Sequence, residues 1–258
     1  MEKGNFMQDC FESIEYADKI VALTGAGVST LSGIRDFRGE NGIYIKDPFW
    51  KGFPVENLLD TDFFRKHPDL FYQYARENLY PMTNCPPSIA HRTLALMEKR
   101  GLLDMLYTQN IDLLHSKAGS SRLREFHGSL RGHSCIQCKG TFEDASIRER
   151  IFKGEIPVCP SCGGLLKPDI VFYGDPMDEK LLDQAFHDFE SADILIVMGT
   201  SLTVPPVSGL PMASILNQRK LLIVNASPTK YDEYAAWHFP DIEKFCKKID
   251  AYFSLCGQ

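Results

Sequence analysis

The sequence lacks a basic excess. Its 28 Lys and Arg are outnumbered by 34 Asp and Glu, for a formal net charge of −6 and a pI near 5.7. Sequence-independent nucleic-acid binding needs a basic surface, so that class is disfavoured. A basic peptide partner is compatible, although net charge is not local potential. The chain also lacks a long apolar run: no stretch approaches the ~20 residues of a membrane span. Its first residues, MEKGNFMQDCFESIEYADK, carry acids and no continuous apolar core, so a secretory signal is not expected. There is no internal repeat and no low-complexity segment. These absences lead to an expected cytoplasmic location, where the eight cysteines are expected as metal ligands or free thiols, not as a disulfide framework.

What is present is ordinary for a globular protein: 44% hydrophobic and 24% charged residues. A chain of 258 residues holds one large domain, or one large and one small.

The chain is organised around Thr24-Gly25-Ala26-Gly27-Val28-Ser29, running on through Ser32-Gly33-Ile34-Arg35-Asp36-Phe37-Arg38-Gly39. It follows the apolar run Lys19 to Leu23, which reads as a buried strand. Glycines at 25 and 27 let a chain turn sharply and approach a phosphate closely. The third glycine of the usual dinucleotide fingerprint is absent, so the turn alone is weak evidence. The Arg-Asp-Phe-Arg-Gly that follows sets an aromatic between two cations and a carboxylate, and reads as a mobile cover for a ligand.

Further apolar strands are expected at Leu102 to Tyr107, Leu123 to Phe126, Ala192 to Met198 and Lys220 to Val224. They run into Thr108-Gln109-Asn110-Ile111-Asp112, His127-Gly128, Gly199-Thr200-Ser201-Leu202 and Asn225-Ala226-Ser227 respectively. Polar groups thus recur at strand C-termini, the edge where open parallel α/β sheets bind ligands. Helical stretches at Phe6 to Tyr16, Ser88 to Arg100, Asp178 to Glu190 and Pro205 to Gln218 alternate with these strands, as crossover connections do. His91, near a helix start, reads as a packing or hydrogen-bonding residue. The aromatic and proline-rich segment Asp47 to Met82 reads as several short helices, with Asp60 or Thr61 capping one and His67-Pro68 opening the next. Most of its aromatics read as a small core. The segment from Trp237 onward is hard to place.

Cys135-Ile-Gln-Cys138 and Cys159-Pro-Ser-Cys162 form two Cys-x-x-Cys pairs. Two knuckles at this spacing can set four thiolates tetrahedrally around zinc. Four protein ligands leave no open position, so the zinc reads as structural. A redox pair is the competitor, but such sites usually carry one pair near a thioredoxin-like unit. Cys10, Cys85, Cys246 and Cys256 read as free thiols.

Taken together, GAGVSTLSGIRDFRG, TQNID, His127-Gly128, the paired Cys-x-x-Cys, KPDIVFYGD and GTSL occur in the order and approximate spacing of the sirtuins, NAD-dependent protein-lysine deacylases. The resemblance runs from about Lys19 to Asp232, and the compact chain is similar to bacterial-type members. It implies an α/β fold: a Rossmann-type parallel sheet (1–36, 89–130 and 171–258) with a smaller inserted domain made of a helical module (37–88) and a zinc ribbon (131–170). NAD and an acylated lysine peptide would enter the cleft between them.

Carried onto this sequence, the resemblance sets Gly25, Ala26 and Gly27 at the pyrophosphate. It sets Asp36, Phe37 and Arg38 in the cofactor loop, with Phe37 shielding the reaction centre, and Gln109 at the nicotinamide-side ribose. Asn110 and Asp112 would line the nicotinamide pocket. Gly199, Thr200 and Ser201 would hold the phosphate and ribose region, and Asn225 the adenosine ribose, with Asp241-Ile242 a candidate for the adenine. The backbone of Val171, Phe172, Tyr173 and Gly174 would pair with the peptide as an added strand. His127 would be the general base. In this chemistry the acyl oxygen attacks the anomeric carbon as nicotinamide departs, and a ribose hydroxyl must then lose a proton. Histidine titrates near neutral pH and can take it.

Two positions depart from the family pattern: Arg35 stands where proline is usual, and Leu113 where glycine is frequent. The Tyr-x-x-Arg of succinyl-type members is also missing. Tyr72 is followed three residues later by Ala75, and Arg76 is one position late, a rotation of about 100° on a helix. Acetyl or other uncharged acyl groups are therefore expected over succinyl. Competing readings are a mono-ADP-ribosyltransferase on the same fold, and a non-catalytic NAD-sensing or zinc-dependent docking protein.

Overall fold

A computed structural model describes residues 3–39 and 42–256. Its centre is a six-stranded sheet in which every pairing is parallel. Across the sheet the strands run Trp237–Phe239, Lys220–Val224, Ile194–Met198, Ile20–Thr24, Met105–Thr108, Leu123–Glu125. Numbered along the chain this is the order 3-2-1-4-5-6 read from the other edge, the doubly wound arrangement with its switch point beside the first strand. Ile20–Thr24 and Ile194–Met198 are buried along their whole length, as strands covered on both faces must be.

Two apolar clusters cover the sheet. On one face Phe11, Leu94, Phe245 and Ile249 pack against Ala22, Ile196 and Leu222. On the other, Phe189, Ala185, Leu210 and Tyr231 pack against Val21, Val197 and Ile223. A third cluster, centred on Phe64, Phe71, Tyr72 and Phe172, belongs to the smaller part of the molecule. That part combines short helices, among them Val55–Leu58, Thr61–Lys66 and Pro68–Tyr74, with a three-stranded sheet of Thr141–Glu143, Gly128–Cys135 and Leu166–Ile170.

Local chemistry sets the helix starts. Asp60 accepts from the N–H groups of Asp62 and Phe63, both at 2.9 Å, capping Thr61–Lys66. Pro68 occupies the first turn of the next helix. Ser88 caps Ile89–Lys99 in a box closed by His91, and Asp178 caps Glu179–Ser191.

The second strand begins at Met105, three residues later than the apolar run from Leu102. The expected helix from Pro205 to Gln218 is a short 3₁₀ turn, Val207–Gly209, followed by Pro211–Leu216. The segment from Trp237 onward forms the edge strand Trp237–Phe239 and the helix Ile242–Cys256. Cys10 and Cys246 are buried free thiols and Cys85 is a half-buried one; the side chain of Cys256 lies outside the described residues. No described helix is long and apolar enough to cross a membrane.

Candidate active site

The C-terminal ends of the central strands and the smaller part of the molecule enclose a cleft of about 740 Å³. Every position singled out from the sequence as cofactor-binding, peptide-pairing or catalytic lies on its wall: the 25–27 turn, the 36–38 loop, Gln109, Asn110, Asp112, His127, Val171 to Gly174, Gly199 to Ser201 and Asn225. Ile242 lies there too, and Asp241 does not. The same wall holds residues that the sequence did not single out, among them Ser29, Tyr44, Leu59, Met82 and Ser227.

The glycine turn is required by close packing. A Cβ on Gly25 would sit 2.7 Å from the Cβ of Thr200, and one on Gly27 would sit 2.7 Å from the Cα of Gly199. The N–H of Gly25 donates to the Met198 carbonyl at 3.1 Å and that of Gly27 to the Gly199 carbonyl at 2.7 Å. These two glycines therefore lock the first turn onto the loop after the fourth strand, and both amides are spent on its carbonyls.

Below the turn lies a buried polar network. The Ser29 hydroxyl donates to the Asp112 carboxylate at 2.6 Å. It accepts from the Asn110 amide at 3.2 Å, and that amide also reaches the Gly25 carbonyl at 3.1 Å. The Leu114 N–H holds the other Asp112 oxygen at 2.9 Å. Burial pushes the Asp112 carboxyl above the ordinary aspartate value, against the pull of the Ser29 hydroxyl and the Leu114 amide. His91 Nδ1 accepts the Ser88 N–H at 3.1 Å, so its Nε2–H points at the Ser29 hydroxyl, 3.4 Å away. Burial lowers the His91 pKa to about 4, which keeps this ring neutral and structural.

His127 is half-buried at the cleft wall. Its Nδ1 is 2.8 Å from the Gln109 carbonyl. A carbonyl can only accept, so Nδ1 carries the proton and Nε2 keeps the lone pair. Burial lowers the imidazole below histidine's ordinary range and the Arg38 guanidinium acts in the same direction; the Gln109 carbonyl partly offsets both. The result is a neutral base at physiological pH. Gln109 is itself anchored, its amide donating to the Thr200 hydroxyl at 2.9 Å.

The loop over the cleft is tied by side chains. Arg35 pairs with Asp47, the Phe37 ring lies 5.4 Å from that of Tyr44, and Arg38 donates to the Tyr173 hydroxyl at 3.1 Å. The other two departures have structural counterparts. Leu113 sits at φ 68°, the left-handed region that glycine reaches without strain. Arg76 points to the Ile151 carbonyl at 3.5 Å and is absent from the cleft wall; the Tyr72 hydroxyl donates to the Leu166 carbonyl.

Beside the three-stranded sheet the Sγ atoms of Cys135, Cys138, Cys159 and Cys162 lie within 4.8 Å of one another. The Cys135–Cys162 and Cys138–Cys159 separations are 3.5 and 3.7 Å. A tetrahedral site with Zn–S bonds of about 2.3 Å has edges of about 3.8 Å, so this donor set fits zinc.

Comparison with known proteins decides the family. The Sir2 family model matches residues 25–206. The chain belongs to the Sir2 family. An NAD-dependent protein deacetylase of Thermotoga maritima is 36% identical over 94% of this chain and 96% of its own. One from Sulfolobus acidocaldarius is 40% identical over 83% of this chain and 82% of its own. A Sir2 structure described with a p53 peptide and NAD+ superposes with a TM-score of 0.87 at 34% identity, covering 96% of this chain and 99% of that one. Another, described as Sir2 bound to acetylated peptide, gives 0.85 at 32% identity over 96% and 98%. The α/β sheet with its four-cysteine module is thus the Sir2 arrangement, and the glycine turn, the 109–112 strand end and His127 face one cleft within it.

Proposed function

We propose that this chain is an NAD-dependent protein-lysine deacetylase, removing acetyl or other uncharged acyl groups from protein lysines and acting in the cytoplasm. The observation that carries the reading is His127: a half-buried imidazole in the cleft, held by the Gln109 carbonyl as the Nδ1–H tautomer, with Nε2 basic and its pKa lowered. Family membership and two relatives named as deacetylases support it.

NAD, as co-substrate, supplies a ribose whose bond to nicotinamide breaks when the acyl oxygen attacks; the products are the free lysine, nicotinamide and O-acyl-ADP-ribose. The chain's residues do the rest. The Ser29–Asp112–Asn110 network presents a carboxylate and an amide at fixed positions to the nicotinamide carboxamide. Gln109, braced by Thr200, meets the neighbouring ribose. His127 Nε2 takes the proton of the ribose hydroxyl, a task suited to a neutral base with a pKa near or below working pH. Gly199 to Ser201 and Asn225 hold the other half of the dinucleotide. Phe37 covers the reaction centre against water. Val171 to Gly174 offer an extended edge to the peptide, with Leu59, Met82, Ile111 and Phe172 supplying apolar wall for the acyl group. Four thiolates would hold one zinc that shapes the small domain and takes no part in the reaction. In this reading residues 1–36, 89–130 and 171–258 form the NAD-binding domain, and 37–88 with 131–170 the smaller one.

The test is incubation with an acetyl-lysine peptide, with and without NAD, followed by mass spectrometry. NAD-dependent loss of the acetyl group with appearance of O-acetyl-ADP-ribose is expected. ADP-ribose attached to protein without deacetylation would overturn the reading in favour of the transferase.

A further inference from the structure

The chain that follows Val171 to Gly174 turns back at once. The Asp175 N–H donates to the Phe172 carbonyl at 3.0 Å. Its carboxylate accepts from the Phe172 N–H at 3.0 Å and from the Thr61 hydroxyl at 2.6 Å, and pairs with Lys167 at 2.9 Å. Pro176 and Met177 then lead into the helix Glu179–Ser191. Its cap, Asp178, spends its carboxylate on the N–H groups of Lys180 and Leu181 at 3.0 and 3.2 Å. Met177, Glu179 and Leu182 from this segment line the cleft, as do the uncharged Val204, Pro205 and Pro206 from the loop after the fourth strand.

The charged side chains on the cleft wall are Arg35, Asp36, Arg38, Asp112, Asp175 and Glu179. Arg35 is matched by Asp47 and Arg38 by Glu56. Asp112 is held by Ser29 and the Leu114 amide, and Asp175 by Lys167. Asp36 lies in the loop over the cleft, its carboxylate folded against Gly39, where a Cβ would clash with it. Glu179 remains. It is exposed, and among the described residues its side chain has no ion pair or hydrogen bond. An acid suits the first turn of a helix, but here Asp178 already serves that end. Asp183, also exposed, follows one turn later on the face of Glu179, whereas Lys180 lies about 100° round the helix. This rim of the cleft is therefore negative.

We propose that Glu179 is a specificity-determining residue, selecting acyl-lysine peptides that carry an arginine or lysine close to the modified lysine. The inference rests on the reading of Val171 to Gly174 as the peptide edge. A strand laid along that edge sends alternate side chains to opposite sides, and those on the side of the helix Glu179–Ser191 meet Met177, Leu182 and Glu179. A long cationic side chain fits this wall: its methylenes lie on the half-buried Met177 and Leu182, and its head reaches the Glu179 carboxylate. A glutamate in the same place meets like charge from Glu179 and Asp183. The pair is solvent-exposed, so the preference is a modest one, roughly two- to fivefold in affinity.

The test measures binding of fluorescently labelled acetyl-lysine peptides by anisotropy, without NAD, at about 50 mM salt. The peptides carry alanine, arginine or glutamate at one flanking position at a time, up to about three residues from the acetyl-lysine. The proteins are the wild type, Glu179→Gln and Glu179→Lys. At one flanking position or more the wild type is expected to bind the arginine peptide roughly two- to fivefold more tightly than the alanine peptide, and the glutamate peptide more weakly. Glu179→Gln should bring the arginine-to-alanine ratio to within about 1.5-fold of unity, and Glu179→Lys should favour glutamate over arginine. The wild-type preference should vanish near about 0.5 M salt. Each readout is a ratio between peptides on one protein, which general loss of structure does not reverse in sign. An arginine preference undiminished in Glu179→Gln, or none at any position in the wild type, would overturn the proposal while leaving the deacetylase reading intact. Failure of the wild type to bind any acetyl-lysine peptide would overturn the peptide-edge reading and the proposal with it; NAD-dependent turnover of the alanine peptide by the wild type reports separately on the activity.

Discussion

His127 and Gln109 are joined by a single hydrogen bond, Nδ1 to main-chain carbonyl at 2.8 Å, and that bond fixes which nitrogen of the ring is basic. The peptide plane that carries the Gln109 carbonyl also carries the Asn110 N–H, and that N–H is held by the Thr108 hydroxyl at 3.1 Å. The tautomer is thus set by the backbone at the end of the Met105–Thr108 strand.

The pH dependence follows in sign. As the proposed base, His127 would work in its neutral form and be lost on protonation. Burial and the nearby Arg38 lower its pKa below the ordinary 6.5. The neutral form therefore persists to lower pH than for a free histidine, and the acid limb of kcat/KM should have its midpoint below about 6.5. A profile of kcat/KM from pH 5 to 8 checks this; a midpoint clearly above that value would count against His127 as the base.

Arg35 stands where the related pattern has proline, and its partner is Asp47, at the far end of the loop over the cleft. Both side chains are substantially exposed, at 46% and 65%, so the pair is worth less than about 1 kcal/mol. Asp47→Asn should raise the KM for NAD roughly two- to fivefold at low ionic strength. The difference from wild type should vanish near about 0.5 M salt, where exposed charges are screened. Equal KM values at low salt would remove Arg35 from the account.

The four-cysteine cluster predicts a metal that stabilises without reacting. Cys135 and Cys159 are buried in the third apolar cluster with Leu166 and Ile151, so losing their cross-link should loosen the wall on which Val171 to Gly174 rest. Stripping zinc with a strong chelator, or Cys159→Ser, should lower Tm by more than about 5 °C and reduce turnover in parallel. Metal analysis should return one zinc per chain. Full activity and an unchanged Tm in metal-free protein would contradict the structural role.

Acyl preference is predicted by what faces the cleft. Arg76 is engaged at the Ile151 carbonyl and the Tyr72 hydroxyl at Leu166, so neither offers a partner to a carboxylate. A succinyl group would bring an unpaired charge against Leu59, Met82 and Ile111, a cost of several kcal/mol. Acetyl peptide should therefore be turned over at least about a hundredfold faster than succinyl peptide at matched concentration. Faster removal of succinyl would show that another cation reaches the pocket.

Much of the sheet was legible because its central strands are apolar runs of four or five residues buried on both faces, each ending in a polar cluster. The edge strand Trp237–Phe239 was not. It has three residues with an exposed His238 in the middle, too short for a period to register. The helix after it carried a readable signal, since Phe245, Ile249 and Phe253 recur at four-residue spacing and all are buried. The expected helix from Pro205 failed because its prolines at 205, 206 and 211 remove N–H donors and break the run. At the site, side chains near strand ends were legible from topology. Ser29 was not, because nothing local marks a serine whose partner, Asp112, lies 83 residues away. The Arg38–Tyr173 contact spans 135 residues and is equally invisible to any local pattern.

The most direct test compares wild type with His127→Ala on acetyl-lysine peptide and NAD, with NAD binding measured alongside by calorimetry and products identified by mass spectrometry. The wild type is expected to convert both substrates to deacetylated peptide, nicotinamide and O-acetyl-ADP-ribose. The variant is expected to bind NAD within about threefold of wild type while forming O-acetyl-ADP-ribose at least about a hundredfold more slowly. Deacetylation at an undiminished rate by the variant would contradict His127 as the base.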